Sequence, residues 1–481
     1  MEILMARFFF DTKRILNSLI MKNCAFGCIL FFHLLCIYSY AQNSTQGNTS
    51  KLNVTKIHNE ADTASITLSL KDCLQYASKN QPALNQSLID ESIAHRNNAI
   101  ALSGWLPQIS GAASYQQYFQ LPTSFANLGG SYQAFQAGVH YNAIPSLTVS
   151  QTLFSNDVLF AARAIKLNNL EAQQITTSTK IEMVSGVTKA FYDLLLSIQQ
   201  IGVYKEDTAR LKKNLSDAFS QYENGIVDQV DYKMANISLN NSLSQLQTAT
   251  ETVGAKYASL QQLMGFPPEK KFAVLFDTVQ MMRDIYIDTT IQLEFEKRIE
   301  YQVLETAKKI QMESTHYYQL GFLPSLSAFY DYDLAYENNA YSDLYKNSYP
   351  YSFFGLQLTL PIFTGFKRNE NLSKSKLIER RIDWDEVNLK LGIYTQYKQA
   401  MASYKSNFYF LNKQRENESM ALEVYSIVKM QYQQGIKAYI DVIISESDLQ
   451  TSEINYLNAL FHLLESKIDL EKAMGNIPTN I

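Results

Sequence analysis

Past residue 41 the chain has a single cysteine, Cys73; the other three (Cys24, Cys28, Cys36) crowd into the N-terminal stretch. A lone thiol excludes an internal disulfide or a cysteine metal cluster in the remainder of the chain. Basic residues do not dominate either. Lys and Arg number 42 against 46 Asp and Glu, for a net charge of −4 and a pI near 6.0. That balance gives no footprint for nucleic acid. The six histidines are scattered, and none past the N-terminal stretch makes a zinc-type pair at i, i+4. No G-x-S-x-G and no phosphate-binding loop occurs. Catalytic residues, cofactor and metal are therefore all expected to be absent. Nor does any later segment hold 18 consecutive apolar residues, so a mature chain that spans a membrane does so with strands.

What is abundant is aromatic: 31 Tyr and 26 Phe, 12% aromatic overall, beside only 18% charged residues. Tyrosine suits surfaces that meet an apolar phase on one side and water on the other. The N-terminus reads as an export signal over 1–41, with Met21 as an alternative start. Met21-Lys22-Asn23 gives a short basic beginning, Cys24–Tyr40 an apolar run, and Ser39 and Ala41 the small residues of a cleavage site. Residues 42–65, rich in Asn, Ser and Thr without apolar period, read as a flexible leader.

The rest of the chain is written twice. GWLPQIS at 104–110 returns as GFLPSLS at 321–327, SQTLF (150–154) as TLPIF (359–363), and QYENGI (221–226) as QYQQGI (431–436). Asp231 returns as Asp441, and LMG (263–265) as AMG (473–475). These echoes, all in one order, define two structural repeats, 66–265 and 288–475, joined by a linker at 266–287 and followed by a tail at 476–481. Each repeat reads helix, strand, loop, strand, long helix, tip, helix. Gly104 and Pro107, like Gly321 and Pro324, stop a helix and open a strand, because proline lacks a donor and biases its predecessor toward extended backbone.

Period-two alternation places strands near 106–120, 136–153, 324–334 and 350–363. Leu356, Leu358, Leu360 and Ile362 alternate with Gly355, Gln357 and Thr359; in the third strand Phe329 breaks the pattern. Alternation of this kind marks a half-exposed or barrel strand. The polar segments 121–136 and 334–349 then read as loops at the outer end.

Helical hairpins are expected at about 155–264 and 366–474. The first has no proline over 155–223, a length of roughly 100 Å at 1.5 Å per residue. Val187, Phe191, Leu194, Ile198 and Ile201 follow the 4-3 spacing of a coiled-coil seam, as do Ile454, Leu457, Phe461, Leu464 and Ile468. Gly225 and Gly435 mark the reversals. Four strands cannot close a membrane barrel, and open edges are not tolerated in lipid. Several copies must therefore share one sheet: two, three or four chains give eight, twelve or sixteen strands. The fold class is mainly α with transmembrane β, built from strand pairs and long antiparallel coiled-coil helices.

With these motifs in order, the chain resembles the TolC-type outer membrane factors, the exit ducts of efflux pumps and type I secretion systems. The resemblance covers essentially the whole chain after the signal. It implies a homotrimer with a 12-stranded β-barrel in the outer membrane lipid, continued by a periplasmic α-helical tunnel. It also implies two partners, a periplasmic adaptor (membrane fusion protein) and an inner-membrane transporter. In that family, aspartates just past the second tip line the closed tunnel entrance. Asp441 falls on such a position, Asp231 is its counterpart in the first repeat, and Ile444 stands where a second aspartate is expected. Three Asp441 carboxylates would make a negative ring favouring cations. Acids there, Asp228 included, also simply complement a helix N-terminus. Tyr222 and Tyr432 contact either the adaptor or a neighbouring helix, or else cap the seam. Lys437 pairs with an acid of a neighbouring protomer or is solvated. Trp105 and Phe322 sit either in an interfacial aromatic belt or in the helix–strand joint. A periplasmic coiled-coil scaffold or adaptor, with the strands in a soluble domain, is the alternative reading.

Overall fold

The computed structural model describes residues 66–128, 130–275, 281 and 285–480; the expected signal and leader lie outside the described residues. In chain order the elements are β1 (Ile66–Leu68), α1 (Leu70–Asn80), α2 (Pro82–Ser103), β2 (Gln108–Gln117), β3 (Thr123–Leu128), β4 (Ser131–Gln136), β5 (Tyr141–Phe154), α3 (Asn156–Glu223) and α4 (Gln229–Met264). Beyond them come β6 (Phe272–Val274), α5 (Ile299–Gln319), β7 (Ser325–Asn338), β8 (Tyr349–Thr359), α6 (Lys367–Gln433) and α7 (Tyr439–Met474). None of the described helices is long and apolar enough to cross a membrane.

The leading helix of the first repeat is two helices. Ser69 and Asp72 form a reciprocal capping box that starts α1. Gln81 is extended (φ −64°, ψ 125°), because the ring of the next residue clashes with it in the helical region, and Pro82 opens α2, where its missing N–H costs nothing. Further along, α2 ends one residue before Gly104, which stays right-handed (φ −60°). Trp105 and Leu106 donate backbone bonds three residues back, to Leu102 and Ser103, tightening the exit. Leucine does not begin the strand: β2 and β7 start immediately after Pro107 and Pro324.

Four strands form one antiparallel sheet in the order β2-β5-β7-β8. They differ from the alternation limits. β2 is shorter at both ends, β5 begins at Tyr141 instead of near 136, β7 runs on to Asn338, and β8 stops at Thr359. The segment expected as an outer loop at 121–136 is itself a hairpin of β3 and β4. Phe329, the exception in the alternation, has a physical reason. It pairs with Gly355, and its ring lies where a Cβ on that glycine would sit, 2.4 Å from Phe329 Cζ. An aromatic ring laid over a strand glycine fills the missing side chain.

Each long helix continues or feeds a strand: α2 into β2, β5 into α3, α5 into β7, β8 into α6. Helix packing therefore repeats the strand order, with α2 on α3, α3 on α5, and α5 on α6. The lower parts fold as two antiparallel hairpins, α3–α4 and α6–α7, joined through α3 and α7. Where the hairpins end, β1 pairs in parallel with β6 from inside the linker. The main apolar core gathers there around Leu84, Val187, Leu194, Leu260, Met264, Leu463 and Leu470. Cys73 is buried in it, and burial pushes its thiol up to about 12, which keeps it inert.

Four helices stop in the same way. After α3, α4, α6 and α7 comes a left-handed glycine (Gly225, Gly265, Gly435, Gly475), and the next amide bonds the carbonyl five residues back.

Candidate functional site at the helical tips

The hairpin ends hold the candidate residues. At the first reversal Gly225 (φ 67°) donates to the Tyr222 carbonyl at 3.0 Å and Ile226 to the Gln221 carbonyl at 2.9 Å. At the second, Gly435 (φ 76°) donates to Tyr432 and Ile436 to Gln431, both at 2.9 Å. The two reversals are thus one backbone design with different side chains. Tyr222 stacks in a half-exposed cluster with Tyr232 (4.9 Å between centroids) and Phe219. Tyr432 packs on buried Tyr439 (5.4 Å), and its hydroxyl donates to Gln221 Oε1 at 2.8 Å. The second tip is therefore bonded to the first.

The acids differ. Asp231 lies in the first turn of α4; burial, then neighbouring Asp228, push its carboxyl above the usual range. Its charge also raises the phenols of Tyr432 and Tyr439, after burial, which places Asp231 on the side facing the second tip. Asp228 precedes α4 with no side-chain capping bond. Asp441, in the first turn of α7, sits 3.8 Å from Lys437 of its own chain, both partly exposed. Lys437 thus pairs with an acid of its own protomer. Ile444 is exposed one turn further on. Tyr432 thus bonds Gln221 and feels the charge of Asp231, while half-exposed Asp441 faces Lys437.

At the other end, Gly321 sits close to the Tyr318 carbonyl and the Arg368 stem, and Arg368 donates to the carbonyls of Gly321 (3.3 Å) and Pro361 (3.0 Å). Gly104 meets only the Ala101 carbonyl, at the looser distance of 3.8 Å. Trp105 and Phe322 both expose their rings on this chain.

A seam of polar residues escaped the sequence reading. Along α3, Gln200 donates to Asn458 Oδ1 (2.9 Å), Asp207 accepts from Gln450 (2.7 Å), Asn214 donates to Glu446 Oε2 (2.8 Å), and Gln221 accepts from Tyr432. These four α3 residues stand seven apart. A polar heptad beneath an apolar one was visible in the sequence, and it marks where the two hairpins meet.

Residues 73–266 match the family model described as outer membrane efflux protein. No curated protein matches the chain in sequence. Solved structures match its fold across both repeats. The CusC channel, described in connection with folding and transmembrane channel formation, aligns with a TM-score of 0.69 at 16% identity, over 88% of this chain and 96% of that one. The Campylobacter jejuni CmeC outer membrane channel gives 0.66 at 18% identity, over 88% and 91%. The Vibrio cholerae outer membrane protein VceC gives 0.65 at 15%, over 84% and 96%.

Strand pairs carried on long helical hairpins are the architecture this chain shares with those structures. Less than half of the chain matches the outer membrane efflux protein model, and its fold as a whole is similar to that of solved outer membrane channels.

Proposed function

We propose that this chain assembles as a homotrimer whose twelve strands close one barrel, and that the ring is the passive exit duct of a tripartite efflux or secretion machine. The observation that carries the reading is a pair of unlike free edges. On one side lie β2 and α2, with Ile89, Ile93 and Ile100 exposed; on the other lie β8 and α6, with Leu377, Trp384, Val387 and Leu391 exposed. The second stripe has the 7-3-4 spacing of a coiled-coil seam, yet it stays exposed among the described residues. Unlike edges join head to tail, and a head-to-tail contact that closes makes a ring. β8 of one copy would pair with β2 of the next while α6 packs on the neighbouring α2, so one rotation closes both barrel and tunnel. Trp105 and Phe322 would then sit in the belt at the lipid–water boundary.

In this reading Asp441 and Asp231 form the periplasmic gate. Tyr222, Gly225, Tyr432, Gly435 and Lys437 form the tip surface presented to the adaptor, beside exposed Ile226 and Ile436. Gly104, Pro107, Gly321 and Pro324 are the joints between tunnel and barrel. An inner-membrane transporter supplies the energy, since no step of passage requires chemistry from this chain. The deciding measurement is the native mass of the protein extracted from outer membranes in mild detergent, corrected for bound detergent. Three chains per particle support the reading; a monomer defeats it.

A further inference from the structure

The joint between the two hairpins is apolar near the core and ionic further down. In the ionic stretch a single guanidinium faces three carboxylates. Arg210 lies 3.5 Å from Asp207, 3.6 Å from Glu446 and 3.4 Å from Glu453. Asp207 and Glu446 are 1% and 2% exposed, so water screens neither. Asp207 is well bonded, accepting from Ser242 of α4 (2.6 Å) and Gln450 of α7 (2.7 Å). Glu446 is held less fully. Asn214 donates to one oxygen at 2.8 Å; the other has the Tyr425 hydroxyl of α6 at 3.5 Å and the Arg210 Nε, which makes no hydrogen bond. Lys429 of α6 donates to that same Tyr425 hydroxyl (3.0 Å), one bond removed from the carboxylate. Tyr439, two turns before Glu446 on α7, buries its hydroxyl without a partner among the described residues. Charge around Glu446 thus comes from Asp207 and Arg210 on α3 and Lys429 on α6, while α4 contributes the neutral Ser242 beside Asp207.

We infer that Glu446 is a proton-operated clasp between the hairpins: protonated, it lets the second hairpin seat on the first; ionised, it repels Asp207 and loosens the start of α7. The inference rests on the gate reading of Asp441. That residue lies five positions earlier on the same helix, about 7.5 Å along its axis at 1.5 Å per residue. A clasp at Glu446 therefore controls where the gate residue sits.

The direction of the effect comes from linkage. Burial first, then Asp207, raise the Glu446 carboxyl from its ordinary 4.5 to about 7, against the pull of Arg210, Lys429 and Asn214. An acid raised in the seated state favours that state at low pH, and the preference fades as pH rises through about 7. If loosened Glu446 returns to its ordinary value, the loosened fraction grows about tenfold between about pH 6 and about pH 8.

The test is conductance of the full-length channel in planar bilayers, with the pH of the periplasmic side stepped across that window. Basal open probability should climb about tenfold in the natural protein. In Glu446→Gln, which keeps the shape but cannot ionise, it should stay low and flat. Asp207→Asn removes the nearest repelling charge and should move the transition to lower pH. Hydrogen exchange of amides 439–450, corrected for its intrinsic pH dependence, should show the same pattern. A Glu446→Gln channel with the natural pH profile overturns the clasp, and so does a transition unmoved by Asp207→Asn. If no variant conducts at any pH, the gate reading has failed instead, and the exchange pattern alone then decides the clasp.

Discussion

Tyr432 and Gln221, 211 positions apart in the chain, meet at 2.8 Å where the two hairpins end. The bond joins residues that open equivalent motifs in the two repeats, QYENGI and QYQQGI, but it uses the glutamine of one and the tyrosine of the other. The repeats have therefore diverged into complementary halves of one contact.

Removing that hydroxyl should loosen the tips. Tyr432→Phe keeps the ring packing on Tyr439 and loses one hydrogen bond, about 1 kcal/mol, or roughly a fivefold shift toward open channels. Basal conductance of purified channels in bilayers measures this directly. An unchanged open probability would mean that the bond is a surface contact without a role in closure.

Asp441 and Lys437 oppose each other across 3.8 Å at the mouth. Under the gate reading, Asp441→Ala should raise basal conductance and weaken cation preference, whereas Lys437→Met should strengthen it by uncovering the ring of carboxylates. Reversal potentials in a salt gradient give both answers. Equal potentials in the two variants and the natural protein would remove Asp441 from the constriction.

Glycines with the same backbone angle should differ in what they tolerate. At Gly225 and Gly265 φ is 67°, so alanine at either is strained by about 1–2 kcal/mol. Around Gly225 there is open space, but a Cβ on Gly265 would lie 2.4 Å from the Asn80 carbonyl oxygen. Gly475 repeats this against the Lys297 carbonyl at 2.6 Å. Thermal unfolding in detergent should show Gly225→Ala mildly destabilised, with Gly265→Ala and Gly475→Ala far more so. Equal losses would show that α1 and the start of α5 give way easily.

Acid should unlock α5 from α6. Hydrogen bonds from Lys390 and Lys308 hold the Glu386 carboxyl down at about 2, and Lys308 also pairs with Asp383. A depressed acid contributes stability that is complete above its ordinary 4.5 and lost as pH falls toward 2. Lys308→Met should therefore lower stability near neutrality and flatten its decline over that window. Helical circular dichroism against denaturant, repeated at several pH values, measures it. A variant with the natural slope would assign the acid response to other carboxylates.

How legible all this was depends on distance along the chain. The tip glycines and the proline joints announce themselves because the backbone chemistry of a few consecutive residues decides them. The long helices were plain from the missing prolines and the apolar seam. The β1–β6 pair was not, since three residues at 66–68 meet three at 272–274 with no local signal at either place. Phe329 looked like an error in alternation until its partner Gly355 was found across the sheet. The ionic joint at Glu446 was hidden for the same reason. Nothing local marks Asp207, Arg210, Glu446 and Glu453 as a group; they meet only where α3 packs on α7, which buries Asp207 and Glu446.

The unlike edges of the sheet have a consequence for how substitutions add up. In a ring closed by β8 against β2, every seam is the same seam. A change at one edge residue is felt once per subunit, so in a trimer a modest loss of about 0.5 kcal/mol per seam becomes about 1.5 kcal/mol for the assembly. Edge positions such as Ile109 on β2 or Leu356 on β8, exposed and seemingly idle on the single chain, should therefore be among the least forgiving in the protein.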